Sequence, residues 1–327
     1  MSLSEASAQG DFVGQVQIEP VGMAHCRLGL GCWQFGGVQL GRQNDADSMA
    51  VMEAALEAGI NHFDTASGYG RSEAVVGQFI GPKRDRIFLA SKQPATDDKQ
   101  KYLDGIDASL KHLNTDHIEL YYIHWPRSNM DLRPTMEALE EARSAGKIGA
   151  VGVSNFAIPQ MEQISQAGAI NAYQLCYNLV WRHDERELIP YCLEHDIALV
   201  SYSSIAGGAL TGRFGPDTPD FPEDDKRSTW TYFRGDVWPH VYAGVQELQK
   251  IADEAGRPLT DLAIRWAAAR PGITSVLVGA RNRQQALQNA AARDGHIPQD
   301  VFDRMTAVSD RIMEEVPDTG NIFGYYP

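Results

Sequence analysis

Eight short runs rich in β-branched, aromatic and small apolar residues punctuate this chain, each separated from the next by enough residues for a helix. They are CRLGLGCW, INHFDTA, RIFLASK, IELYYIHW, GAVGVSNF, AYQLCYN, IALVSYSS and SVLVGA. Near-continuous apolar runs of this length mark strands buried on both faces, as in a parallel sheet. Amphipathic patterns such as DADSMAVMEAALEAG, KQKYLDGIDASLKHLN and RPTMEALEEARSAG fill the intervals. Gly59, Asn114 and Gly146 stand where a left-handed residue would end three of those helices. Eight strand–helix units in series predict an α/β chain closed into a (β/α)8 TIM barrel rather than an open sheet.

Several segments break the rhythm. A β-hairpin is expected around residues 15–27, ahead of the first barrel strand. Residues 207–240, GGALTGRFGPDTPDFPEDDKRSTWTYFRGDVWPH, carry Gly, Pro, Asp and aromatics without a period, and predict a long βα loop after the seventh strand. Loops of that length are usually functional. Its aromatics either pack over a ligand or pin the loop to the barrel. An extra C-terminal helix is expected from about Gln299, followed by a mobile tail, DTGNIFGYYP. Residues 1–12 read as a flexible leader, and residues 1–327 as a single domain.

A net charge of −14 disfavours nucleic acid and anionic membrane as bulk partners, since both need a basic face. A few Arg or Lys could still hold a small anion locally. Cys26, Cys32, Cys176 and Cys192 are widely spaced, which predicts buried free thiols and no metal site. No apolar signal segment and no run of membrane-spanning length occur, so a cytoplasmic protein is expected.

Four reactive residues sit at or just beyond successive strand ends: Asp64 and Tyr69 after INHF, Lys92 in RIFLASK, and His124 in IELYYIHWP. In a barrel these ends converge on one face. Any one of them alone is commonly structural; it is the convergence of four that is specific. A tyrosine is a poor acid at neutral pH, and a neighbouring ammonium is expected to lower its pKa. Lys92 could supply that charge, Asp64 could fix Lys92, and His124 could orient a substrate oxygen. Such a set suits protonation of a carbonyl oxygen as hydride arrives, or the reverse. Side chains donate no hydride, so a cofactor is implied. The GxGxxG fingerprint fails, because Gln34 stands at its third glycine, and no Walker loop occurs. A nucleotide would then be held by strand-end loops, with phosphates near the last two strands. There the Gly279–Ala280 turn, a helix start and Arg281 suit an anion.

These motifs, in this order, are similar to those of the aldo-keto reductases over about residues 25–295: GLGCW, FDTASGYGRSE, the stretch ending IELYYIHWP, GKIGAVGVSNF, YQLCYN, SYSSIAGGALTGR and VGARNRQQALQNA. Among them the chain looks most like bacterial members associated with inositol and sugar catabolism. The resemblance implies Tyr69 as general acid/base, with Asp64, Lys92 and His124 completing a tetrad. It implies Ser154, Asn155 and Gln174 on the nicotinamide carboxamide and Tyr202 stacked on its ring. Gly31, Cys32 and Trp33 would meet the ribose, and Ser203, Ala206, Gly208 and Leu210 the pyrophosphate. Gly279, Arg281, Gln285 and Asn289 would cover the adenosine end, favouring NADP (NADPH) while leaving NAD open. Two departures are Ser204 and Gln288, where many members carry Pro and Glu. Trp33, Tyr69, His124, Trp125 and Arg127 would line the substrate pocket; Trp125 and Arg127 could instead pack or pair locally. The expected partner is a carbonyl compound, reducing sugar or anionic modified sugar, with a homo-oligomer left open. Two other readings are a cofactor-binding regulatory subunit like the potassium-channel β subunits, and a non-redox barrel enzyme using a metal or a Schiff-base lysine.

Overall fold

In the computed structural model, which describes residue 12 and residues 14–324, each of the eight predicted runs is a strand of one closed parallel barrel. A two-stranded antiparallel hairpin, β1 (Gln15–Val16) and β2 (His25–Cys26), precedes it. The barrel strands are β3 (Leu28–Gly31), β4 (His62–Asp64), β5 (Phe88–Gln93) and β6 (Ile118–Ile123). They continue through β7 (Ile148–Ser154), β8 (Ala172–Cys176), β9 (Ala198–Tyr202) and β10 (Ile273–Gly279). Cys32, placed by sequence inside the first strand, lies one residue beyond it; all four thiols are free and buried.

Strand β10 closes the barrel on β3, with Leu28 opposite Val276 and Gly31 opposite Gly279. The side chain of Gln34 secures that seam, donating to the carbonyls of Gly31 and Ala280 at 2.9 Å each. The residue that spoils the glycine fingerprint therefore joins the first strand to the last. β6 is buried throughout, including Glu119, whose carboxylate pairs with Arg84 at 2.8 Å and accepts the Leu89 N–H.

Helices α1 (Asp45–Glu57), α2 (Ser72–Ile80), α3 (Lys99–Leu113), α4 (Arg133–Ser144) and α5 (Ile158–Ile164) cover the first half of the barrel. Helices α6 (Leu188–Glu194), α7 (Trp238–Glu254), α8 (Leu259–Ala269) and α9 (Arg283–Ala291) cover the rest, and α10 (Gln299–Glu315) is the additional C-terminal helix. Gly59, Asn114 and Gly146 have φ of 81°, 51° and 75°, the left-handed stops their positions predicted. No helix of the described residues is long and apolar enough to cross a membrane.

Three boundaries differ from the sequence reading. Residues 1–11 lie outside the described residues, but Phe12, assigned to the leader, is buried and lies 5.8 Å from the Arg27 guanidinium. The long loop ends at Val237, because Pro239 in the first turn starts α7 at Trp238. Its interior holds short 3-10 turns rather than bare coil, and Trp230, Tyr232, Phe233 and Trp238 are buried, so these four anchor the loop. Residues 325–327 of the tail lie outside the described residues, but Asn321 and Ile322 before them are buried, and the Ile322 carbonyl accepts from the Thr231 N–H at 2.7 Å.

At the N-terminal end of the strands, Ile18 and Val21 of the hairpin plug the barrel interior against Phe88, Leu120 and Val200. Two histidines share this floor. His25 stacks on Phe88 at 4.1 Å and meets His62 edge-on at 4.9 Å, and no ring nitrogen of either has a hydrogen-bond partner. Burial lowers His25 to about 4 and His62 well below its ordinary value. A histidine whose folded pKa is depressed favours the folded state above its unfolded pKa, roughly 6.5, and loses that contribution as pH falls. The urea midpoint is therefore expected to drop between about pH 6.5 and 5, above the usual carboxylate range. His62→Leu should flatten that slope in urea titrations at several pH values; an unchanged slope would contradict the assignment.

Candidate active site

The mouth of the barrel gathers the four predicted reactive residues. Asp64 is the last residue of β4 and Lys92 the fifth of β5, paired in register through Asp64 and Ala90. Both are buried, and Lys92 Nζ donates to Asp64 Oδ1 at 2.5 Å and to the Thr65 carbonyl at 2.7 Å. Burial pulls Lys92 down and Asp64 up, and each charge opposes the other's shift. Extra bonds to Thr65 and Gln174 supply what a buried ion pair needs to remain charged.

Tyr69 hangs from the loop after β4, its ring stacked under Trp33 at 5.3 Å. Its hydroxyl lies 3.5 Å from His124 Nε2, and Lys92 Nζ is 5.0 Å from its ring centroid. Burial, then Asp64 and Cys32, push the Tyr69 phenol well above its ordinary range. The acidity expected from a neighbouring ammonium is thus not what this arrangement gives. The Lys92 charge is already bound to Asp64, so the phenol keeps its proton through neutral pH. Burial, then Lys92, hold His124 well below its usual value, leaving a neutral imidazole at neutral pH. A protonated phenol beside a neutral imidazole can donate a proton to an oxygen and orient it.

Beside this group, the strand-end residues assigned by resemblance form one network. Gln174 Nε2 donates to Asp64 Oδ2 at 2.8 Å, and Ser154 Oγ donates to the Gln174 carbonyl at 2.9 Å. Asn155 Nδ2 donates to the His124 carbonyl at 3.1 Å, while the Tyr202 hydroxyl donates to Asn155 Oδ1 at 3.0 Å. Cys32 is committed to the wall: its N–H donates to the Asp64 carbonyl and its carbonyl accepts from Ser72 Oγ. Gly31 is bonded to Gln34, and Ala206 and Leu210 are fully buried.

After β9 the backbone turns sharply, with Ser203, Ala206, Gly207 and Gly208 at φ of 56°, 49°, 60° and 102°. Left-handed conformation at non-glycine residues is costly and concentrates at functional sites, and tight turns of this kind cradle anions. Gly207 is also required by space, since a Cβ there would lie 2.5 Å from the Trp230 ring. Ser204, where relatives of the predicted family carry Pro, donates its hydroxyl to the Leu277 carbonyl at 2.7 Å and ties this turn to β10.

Around the turn stand Arg213, Arg227 and Arg281. Burial, then the charge of Arg227, lowers both Arg213 and Arg281. Asp225, which Arg227 grips at 2.6 Å, is the carboxylate that acts on both, so three cations face one anion. Arg213 lies over Gly208, where a Cβ would sit 2.8 Å from its guanidinium. Such a surplus in a chain of net charge −14 fits the phosphates of a dinucleotide. Sequence reading singled out only Arg281, which also donates to the carbonyls of Leu40 and Arg42. The arginines in GALTGR and DDKRST were visible signals, but nothing local shows that they converge. At the adenosine end of the predicted site, Gln285 Oε1 accepts the Arg281 N–H and Asn289 Nδ2 donates to the Gly279 carbonyl.

Six rings encircle the mouth in a closed series. Tyr69 stacks with Trp33, Trp33 with Trp230, and Trp230 meets Phe323 edge-on. Phe323 then meets Trp125, Trp125 lies beside His124, and His124 returns to Tyr69. Phe323 was not anticipated, because the tail that carries it has no period. Arg127, expected to line the substrate pocket, is instead exposed on the loop after β6 and lines a separate cleft of about 420 Å3 with Met130, Leu132, Arg133, Gln160 and Gln163.

Removing one partner of a buried pair strands the other's charge, which costs about 3–5 kcal/mol. Lys92→Met should destabilise the fold by roughly that amount, and Lys92→Met/Asp64→Leu by less than the single change. Urea denaturation of both variants checks this; a double variant no more stable than the single one would contradict it.

Residues 27–310 match the model of the Aldo/keto reductase family. The chain is 35% identical to aldo-keto reductase YhdN of Bacillus subtilis, over 82% of this chain and 85% of that protein. It is 30% identical to a probable voltage-gated potassium channel subunit beta of Arabidopsis thaliana, over 84% and 89%. Among solved structures, the glycerol dehydrogenase AKR11B4 of Gluconobacter oxydans superposes with a TM-score of 0.82 at 26% identity, covering 97% of this chain and 98% of that one. An aldo/keto reductase of Klebsiella pneumoniae in complex with NADP and acetate gives 0.71 at 26% identity, over 91% and 95%. By this match over most of its length, and on the same closed barrel, the chain belongs to the aldo/keto reductase family of oxidoreductases.

Proposed function

We propose that this protein is an NADP-dependent reductase that interconverts a carbonyl and an alcohol, with Tyr69 giving and taking the proton. The observation that carries the reading is the Tyr69 hydroxyl 3.5 Å from His124 Nε2, beside the Asp64–Lys92 pair. His124 holds the substrate oxygen in line with the phenol. Asp64 and Lys92 absorb the change in charge behind it. A bound nicotinamide dinucleotide would supply or accept the hydride. Ser154, Asn155 and Gln174 would orient its carboxamide beside Tyr202, while Arg213, Arg227 and Arg281 would hold its phosphates. The Klebsiella pneumoniae relative, solved with NADP, supports that choice.

The substrate reading is a sugar or polyol, including anionic ones. Flat aromatic faces suit the C–H faces of a sugar ring, and a related fold is a glycerol dehydrogenase. The similarity to a potassium channel β subunit makes a partner role the second reading, and consumption of NADPH with a carbonyl, followed at 340 nm, separates the two.

Tyr69→Phe should lower kcat by roughly 10²–10⁴-fold while NADPH still quenches tryptophan fluorescence; full activity would remove the phenol from the mechanism. Arg281→Ala is expected to weaken NADPH more than NADH, whereas Arg213→Ala should weaken both alike; equal losses for Arg281→Ala would mean that it does not read the 2′-phosphate. Among aldoses, uronic or sulfonated sugars and aromatic aldehydes, kcat/KM should be highest for the sugars. A preference for aromatic aldehydes would overturn the substrate reading.

A further inference from the structure

Gln174 has a contact that a role on the cofactor alone does not explain. Its side chain, 3% exposed, donates to Asp64 Oδ2 at 2.8 Å, while Lys92 holds Asp64 Oδ1 at 2.5 Å. A carboxylate can only accept, so it fixes which end of the amide faces it: the nitrogen turns to Asp64. The second N–H faces the Tyr122 hydroxyl, and the amide carbonyl remains for another partner. Gln174 also sits in register with Ser154, whose hydroxyl bonds its backbone carbonyl. One side chain thus touches the buried ion pair and adjoins the residues assigned to the nicotinamide carboxamide.

We propose that Gln174 is a positioning residue that couples occupancy of the nicotinamide site to the proton machinery, by holding the second carboxylate oxygen of Asp64. Hydrogen bonds to the ionised form favour it, so a carboxylate held at both oxygens stays charged and keeps Lys92 as an ammonium. With Oδ2 released, Asp64 draws harder on the Lys92 proton and presents more negative charge to Tyr69. Both changes make the phenolate harder to form. A carboxamide that engages Gln174 would therefore alter the affinity of Tyr69 for its proton without touching it. The other groups facing this cluster are Cys32, Tyr122 and His62 inside the barrel and Glu73 on α2. None of them donates a hydrogen bond to Asp64 Oδ2 in the structure; Gln174 does.

This inference rests on Tyr69 as the proton donor, so the Tyr69→Phe variant is run alongside. The first measurement needs no cofactor: NMR titration of the Asp64 carboxyl in the unliganded protein. Gln174→Met should raise its midpoint by about one unit, the scale of one lost hydrogen bond to a charge. The second is the pH profile of kcat at saturating NADPH, whose alkaline midpoint should move up in Gln174→Met. Gln174→Glu should regain activity at low pH, where a protonated carboxyl replaces the amide donor, and lose it as that carboxyl ionises. Thermal melts confirm that each variant is folded. If both variants only weaken NADPH binding, with the Asp64 and kcat midpoints unmoved at saturation, Gln174 is a cofactor contact and the proposal fails. If Tyr69→Phe keeps full activity, the underlying reading fails instead.

Discussion

The buried contact between Lys92 and Asp64 is the constraint on which the rest of the site depends. Both residues are buried, and each charge would be intolerable there without the other. Because the two lie on adjacent strands in register, the barrel itself sets their separation. Everything chemically active is arranged outward from that pair. Gln174 and Thr65 complete its hydrogen bonds, Tyr69 lies above the ammonium, and His124 faces the phenol. Burial first, and the charge of Asp64 after it, keep the proton on Tyr69, and an ammonium already paired with Asp64 does little to offset them.

A second arrangement, of opposite character, lies on the phosphate side. Here charge is in surplus rather than balanced, with Arg213 and Arg227 against a backbone forced into left-handed turns and Arg281 within range of their charges. Two neighbouring regions of one mouth thus differ in electrostatic type. One is desolvated and paired, suited to moving a proton, and the other is cationic, suited to gripping an anion. The strain at Ser203 and Ala206 is borne where grip matters.

Much of this was legible in the order of residues. The strands were readable because burial on both faces leaves little room for polar side chains, and Asp64, Lys92 and His124 stood out as polar ends to such runs. Gly59, Asn114 and Gly146 were readable because stopping a helix is local. What escaped notice depends on distant segments returning to the mouth. Arg213 and Arg227 converge only after the loop beyond β9 has folded, and Phe323 completes the ring of aromatics only because Thr231 captures the tail. The bond from Gln174 to Asp64 spans 110 residues and has no sequence signature.

The seam between β3 and β10 has a bearing on how the chain is made. Leu28 pairs with Val276, so the first barrel strand emerges from the ribosome nearly 250 residues ahead of its final neighbour. At about 5–20 residues per second, that edge waits on the order of 10–50 s with one row of peptide groups unmatched. Unmatched edges recruit other strands. Newborn chains of this protein therefore pass through a long open-sided stage, during which that edge is the place where a foreign strand would pair.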